Sequence, residues 1–76
     1  MKEMIAMIAQ ALVDQPESVS VKEIGGPNSV ILELKVAKTD IGKVIGKQGR
    51  TVGAMRILLS AISAKSKKRT VLEVME

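Results

Sequence analysis

The chain opens with apolar side chains at Met4, Ile5, Met7, Ile8, Ala11 and Leu12, recurring every three to four residues. That spacing puts them on one face of an amphipathic helix running from about Lys2 to Gln15. Pro16 ends it, because a proline disfavours the helical conformation at the residue before it. From Val19 to Ile24 the period drops to two, with Val19 and Val21 alternating against Ser20 and Lys22. Gly25-Gly26-Pro27-Asn28 marks a turn. Ser29 to Ala37 then alternates cleanly: Val30, Leu32, Leu34 and Val36 point one way, Ile31, Glu33 and Lys35 the other. Two strands around such a turn predict an antiparallel hairpin with one buried face.

Thr39 or Asp40 is placed to cap a short helix over Ile41 to Ile45, and Gly46 to end it in a left-handed conformation. A longer helix starts just after Gly49 and runs to about Lys65. The basic run Lys65-Ser66-Lys67-Lys68-Arg69 leads into a last strand, Thr70 to Met75. The predicted order is therefore α-β-β-α-α-β, one α+β domain over residues 1–76. No linker, repeat or low-complexity tract interrupts it. Only one face of the hairpin is apolar, so the helices cover one face of the sheet. A crossover through two helices predicts parallel pairing of the second and third strands. The result is a three-stranded mixed sheet with the second strand in the middle.

Composition narrows the chemistry. A hydrophobic fraction of 46% is too high for a disordered chain. The chain has no cysteine and no histidine. That removes disulfides, thiolate metal sites, the commonest zinc ligand and the commonest general base. Its carboxylates are scattered, and no Ser, Lys or Asp has a partner base at catalytic spacing. A non-enzymatic protein without cofactor or metal is expected. Met4 to Val13 is interrupted by Gln10 and is too short to span a bilayer. A cytoplasmic protein without membrane insertion follows as the expectation.

The formal charge of +4 is unevenly placed. Residues 1–37 hold three basic and five acidic side chains, a balance of −2, and residues 38–76 hold nine basic and three acidic ones, a balance of +6. The second half is a candidate polyanion surface. Within it, Gly46-Lys47-Gln48-Gly49 sets two polar residues between two glycines and between two helices. Without Cβ atoms, Gly46 and Gly49 let the chain turn sharply and let a ligand approach the main chain. The start of the following helix offers N–H donors and the positive end of its dipole. Lys47 and Arg50 add full charges, with Lys43 nearby. This combination suits a phosphodiester backbone. The stretch lacks the glycine-to-lysine interval of a Walker loop, and the third glycine and preceding strand of a dinucleotide fold.

The segment Val44-Ile45-Gly46-Lys47-Gln48-Gly49-Arg50-Thr51-Val52 resembles the KH signature: an apolar pair, the G-x-x-G loop, then an apolar residue three positions on. The element order resembles the type II KH fold, and the resemblance covers nearly the whole chain. The chain is similar to the small bacterial KH-domain-only RNA-binding proteins of the KhpA type. KH domains clamp about four nucleotides with this loop. The resemblance implies that Gly46 and Gly49 shape the loop and that Lys47 and Gln48 face a single-stranded RNA backbone. It implies base-facing walls from Ile41, Val44, Ile45 and Val52. Leu32 and Leu34 are weaker candidates, because their alternation already assigns them inward. The basic tract at 65–69 is auxiliary. The resemblance further implies a cytoplasmic RNA chaperone or post-transcriptional regulator linked to cell-wall growth and cell shape. It also implies pairing with a larger KH-containing protein of the Jag/KhpB type. There is no Phe, Tyr or Trp. Base stacking on aromatics, worth about 1–3 kcal/mol per base, is therefore absent, and phosphate contacts are expected to dominate with little sequence selectivity.

The helix after the loop carries more apolar surface than a sheet can cover. At about 100° per residue, Gly53, Arg56, Ser60, Ser63 and Lys67 fall on one polar strip. Val52, Met55, Leu59 and Ile62 form one apolar face. Ala54, Ile57, Leu58, Ala61 and Ala64 form a second beside it. Together the two span about 240°, against a little over 100° for a helix lying on a sheet. The second face is expected to be a partner surface, for a homodimer or for the related KH protein. The alternative function is accordingly a protein–protein assembly module whose main ligand is that KH protein.

Overall fold

The structure is a computed structural model, and it describes residues 1–75. Helix α1 spans Lys2–Leu12, strands β1 and β2 span Ser20–Gly25 and Ser29–Lys35, helices α2 and α3 span Ile41–Ile45 and Arg50–Ser66, and strand β3 spans Arg69–Met75. Short 3-10 turns at Pro16–Ser18, Lys38–Asp40 and Lys47–Gly49 join them. The element order is the one predicted. The strands lie in the order β1-β2-β3, with β1 antiparallel and β3 parallel to β2.

The period-2 pattern of β2 decides which sheet face is buried. Val30, Leu32, Leu34 and the following Val36 are all buried, and Leu72 of β3 sits beside Leu32 in register. The helices meet them with Ile5 and Ala9 of α1, Val44 of α2, and Val52, Met55 and Leu59 of α3. These residues form one aliphatic cluster, each large side chain contributing about 1.5–3 kcal/mol when fully buried. The opposite sheet face has Lys22, Glu33 and Glu73 in one row across the strands and Ile24, Ile31 and Val71 in the next. None of the described helices is long and apolar enough to cross a membrane.

Three local expectations change. Helix α1 stops at Leu12, where Val13 turns extended, three residues before the predicted end at Gln15. The amides of Asp14 and Gln15 are drawn instead onto the carboxylate of Asp40. Asp40 occupies the N-cap position of α2, yet its side chain caps nothing there. Those two N–H groups, 25 and 26 residues away in the chain, hold it turned inward. Gly46 ends α2 at φ 78°, but its ψ of 168° lies outside the left-handed helical basin.

Candidate nucleic-acid interface

The loop is built by two helices of unequal strength. Helix α3 has 17 residues and is about 25 Å long at 1.5 Å per residue. Helix α2 has five residues, one of them Gly42. Between them the backbone makes a run of positive φ: Gly46 at 78°, Gln48 at 58° and Gly49 at 74°. The Gly49 N–H donates to the Gly46 carbonyl at 3.0 Å, closing the turn. A Cβ on Gly46 would run into Thr51 of α3, whereas one on Gly49 would meet open space. Gly46 is therefore fixed by its contact with α3, and Gly49 by its dihedral alone.

This shape turns Lys47, Gln48 and Arg50 outward, all three exposed. Arg50 Nη2 donates to Gln48 Oε1 at 3.3 Å, holding the guanidinium over the loop. Gly49 is the N-cap of α3 and has no side chain to accept the first amides, and the first turn carries no carboxylate. The 3-10 turn takes up the Gly49 and Arg50 amides, and no carboxylate offsets the positive end of the α3 dipole beside the exposed Lys47 and Arg50. Such a surface is chemically suited to a phosphate.

The other predicted site residues divide. Ile41 is half-buried and Ile45 exposed, so both offer apolar surface beside the loop. Val44 and Val52 are buried in the core and offer a base no wall. Their helical spacing puts them under the loop, Val52 in line with Met55 and Leu59. Leu32 and Leu34 are fully buried on the central strand, as their alternation indicates. Lys43 is not a free cation. Its ammonium binds the Asp14 carboxylate and lies 3.4 Å from Asp40 Oδ1. Asp14, with Asp40 behind it, outweighs desolvation and raises Lys43 above the ordinary lysine range. Burial pushes the Asp40 carboxyl up, but the N–H groups of Asp14 and Gln15, together with Lys43, outweigh it and hold it below the ordinary aspartate range.

Sequence reasoning did not place a cleft of about 370 Å³ between α3 and β3, lined by Arg56, Ser60, Ser63 and residues Arg69 to Leu72. The polar strip of α3 faces it. Arg56 Nη2 donates to the Leu72 carbonyl at 3.1 Å, and the Ser63 hydroxyl donates to Thr70 Oγ1. These contacts show α3 and β3 running in opposite directions, so the cleft leads along the open edge of β3 from the basic turn at 67–69 towards the loop. The signal in the sequence was the polar spacing 56, 60, 63, which amounts to a groove only once β3 is known to be an edge strand. The second apolar face of α3 is uncovered, with Ile57 72% and Leu58 46% exposed and Ala54, Ala61 and Ala64 exposed beside them. Helix α1 does not hide it.

Comparison with known proteins agrees with this fold. The sequence model described as the KhpA/KhpB KH domain matches residues 2–74. The RNA-binding protein KhpA of Chlamydia pneumoniae is 51% identical over 76 residues, which is 100% of this chain and 97% of that protein. The RNA-binding protein KhpA of Caldanaerobacter subterraneus subsp. tengcongensis is 54% identical over 74 residues, covering 97% and 99%. The RNA-binding protein KhpA of Aquifex aeolicus is 46% identical over 76 residues, covering 100% and 96%. No solved structure matches the chain significantly. With end-to-end relatives and a matching α-β-β-α-α-β architecture, the chain belongs to the KhpA/KhpB family of KH domains.

Proposed function

We propose that the protein binds single-stranded RNA without catalysis, seating the sugar–phosphate backbone on Gly46-Lys47-Gln48-Gly49. The observation that carries this is the run of positive φ at residues 46, 48 and 49. It leaves the main chain open to a ligand beside the exposed Lys47 and Arg50 and the start of α3, which no side chain caps. Relatives about half identical over 97% or more of the chain are RNA-binding proteins by name, which supports RNA as the polyanion. Bases leaving the loop have the apolar surface of Ile41 and Ile45 near it in the chain. With no aromatic ring to stack on them, the complex rests on phosphate contacts, the behaviour of an RNA chaperone with broad targets. Residence in the cytoplasm and a place in cell-wall growth and cell shape follow from the resemblance to KhpA-type proteins.

The exposed face of Ile57, Leu58 and Ala61 favours a second, compatible reading. It is an apolar surface on a small domain, and a two-fold dimer or a Jag/KhpB-type KH protein would cover it. A dimer would present two loops to one RNA and gain from effective concentration.

The test of the site is the double substitution Lys47→Asp and Gln48→Asp. Both side chains are exposed, so the circular dichroism spectrum should be retained. Affinity for a labelled single-stranded RNA should fall at least about tenfold, equivalent to about 1.4 kcal/mol. A folded double variant with unchanged affinity would falsify the assignment of the loop.

A further inference from the structure

Helix α2 is too short to hold itself. A helix needs about 12–15 residues to be even marginally stable alone, and α2 has five with a glycine second in line. It is nevertheless the upstream support of the RNA-binding loop. Its contacts with the rest of the fold hold it. Val44 is buried in the core and Ile41 packs against that core. Asp40 stands immediately before the helix and is 0% exposed. Asp40 Oδ1 accepts the Asp14 N–H at 3.2 Å and Oδ2 accepts the Gln15 N–H at 3.1 Å. Lys43, on the helix itself, reaches back to both Asp40 and Asp14. The start of α2 is thereby tied to the connection between α1 and β1.

We infer that Asp40 is a positioning residue for RNA binding: its buried carboxylate pins α2 to the α1–β1 connection and so keeps the Gly46–Gly49 loop in its binding shape. This rests on the loop being the RNA site. Asp40 touches no ligand, since none of its surface is open. Its effect runs through the fraction of molecules whose loop is ready, and apparent affinity falls in proportion to that fraction. Lys43 belongs to the same staple and is not a phosphate ligand. The sign of the effect separates this role from plain electrostatics. Removing a negative charge from a protein that binds a polyanion strengthens binding. Removing this one weakens it.

The experiment uses the full chain and a fluorescent single-stranded oligouridine, with association and dissociation followed separately by stopped flow. Asp40→Asn keeps the side-chain volume but loses the charge and one acceptor. The association rate should fall about threefold or more with dissociation nearly unchanged, since fewer molecules are competent and no RNA contact is lost. Amide exchange should speed up in residues 41–49 while the amides of β2 stay protected, a pattern that general loss of stability does not give. The Lys47→Asp, Gln48→Asp variant is run beside it. If that variant binds normally, the site reading fails whatever Asp40→Asn does. If it is dead while folded Asp40→Asn binds as well as or better than the parent, the positioning role is overturned. Should Asp40→Asn not fold, Lys43→Met leaves Asp40 its two main-chain bonds. It should show the faster amide exchange at residues 41–49 with β2 still protected and an unchanged salt slope, since slower association alone is what loss of any cation gives. Faster dissociation, with the salt slope reduced by about 0.7, would mark Lys43 as a phosphate ligand and overturn the inference.

Discussion

The two glycines of the loop are alike in sequence and unlike in space, and alanine at each should separate them. At Gly49 the φ of 74° and ψ of 15° lie in the left-handed helical basin, with open space where a Cβ would go. Gly49→Ala should therefore cost only the basin penalty, about 1–2 kcal/mol. Gly46 combines φ 78° with ψ 168°, a region almost closed to residues with a side chain. Strain there costs about 1–3 kcal/mol. An added Cβ would also lie 2.7 Å from Thr51 Cβ and 2.8 Å from the Thr51 main-chain N, and closer still to Thr51 Oγ1. Overpacking of this kind adds about 1–3 kcal/mol. Gly46→Ala should thus cost about 2–6 kcal/mol in sum. A 76-residue domain has about 4–11 kcal/mol in all. Adding Thr51→Ala should recover only part of the loss, because the Thr51 Cβ and main-chain N stay in place. The assay is urea unfolding followed by far-ultraviolet circular dichroism, since the chain has no aromatic fluorophore. Equal midpoints for Gly46→Ala and Gly49→Ala, or full rescue of Gly46→Ala by Thr51→Ala, would refute the reasoning.

RNA affinity should fall with salt along a slope of about −1.4, two phosphates neutralised by Lys47 and Arg50 at about −0.7 each; titrations at several salt concentrations check this, and a flat dependence contradicts it. Unrelated single strands should compete within about tenfold of one another, because no ring stacks on their bases, and a single sequence preferred by orders of magnitude in competition binding would contradict that. Sedimentation at micromolar protein should show a dimer that Ile57→Asp or Ala61→Asp converts to monomer while leaving monomer folding intact, Ile57 being 72% exposed; a monomeric parent, with neither substitution changing sedimentation or RNA avidity, would remove the homodimer. Asp40 has a folded pKa below its unfolded one, so its contribution to stability is complete above the ordinary aspartate range and is lost as pH falls through the folded value. Glu3 acts in the same direction. Stability should decline below about pH 4, and Asp40→Asn should flatten that decline in urea midpoints measured against pH; an identical acid limb in the variant would exclude Asp40 as its source.

Much of the architecture was legible because it depends on local periodicity. The alternation of Val30, Leu32, Leu34 and Val36 set the buried face of β2, and the same count on α3 separated Val52, Met55 and Leu59 from the exposed Ile57 and Leu58. What was not legible depends on partners distant in the chain. Asp40 reads as a helix cap because aspartate before a short helix usually is one. Only the approach of Asp14 and Gln15 turns it inward, and that same approach stops α1 at Leu12. Lys43 reads as a spare cation until Asp14 is seen beside it. Arg56, Ser60 and Ser63 read as a solvated strip, and they become the wall of a cleft because β3 has no neighbour on its outer side. The apolar groove walls expected from Val44 and Val52 were over-assigned, since a motif position does not say which way a helical side chain faces.

The parallel pairing of β2 with β3 has a consequence for the order in which the protein is made. Ser29 lies against Arg69 and Lys35 against Met75, each pair 40 residues apart, and the whole Gly46–Gly49 loop sits on the chain between them. Joining strands across so long a connection is slow, because the entropy of closing it is lost before the pairing gives anything back. On a ribosome, Gly46 to Gly49 emerges well before Arg69, so the motif is synthesised before α3 has a third strand to pack against. A nascent chain at that stage contains every residue of the site without the fold that shapes it. Any ligand that binds only the folded loop also draws β3 into place.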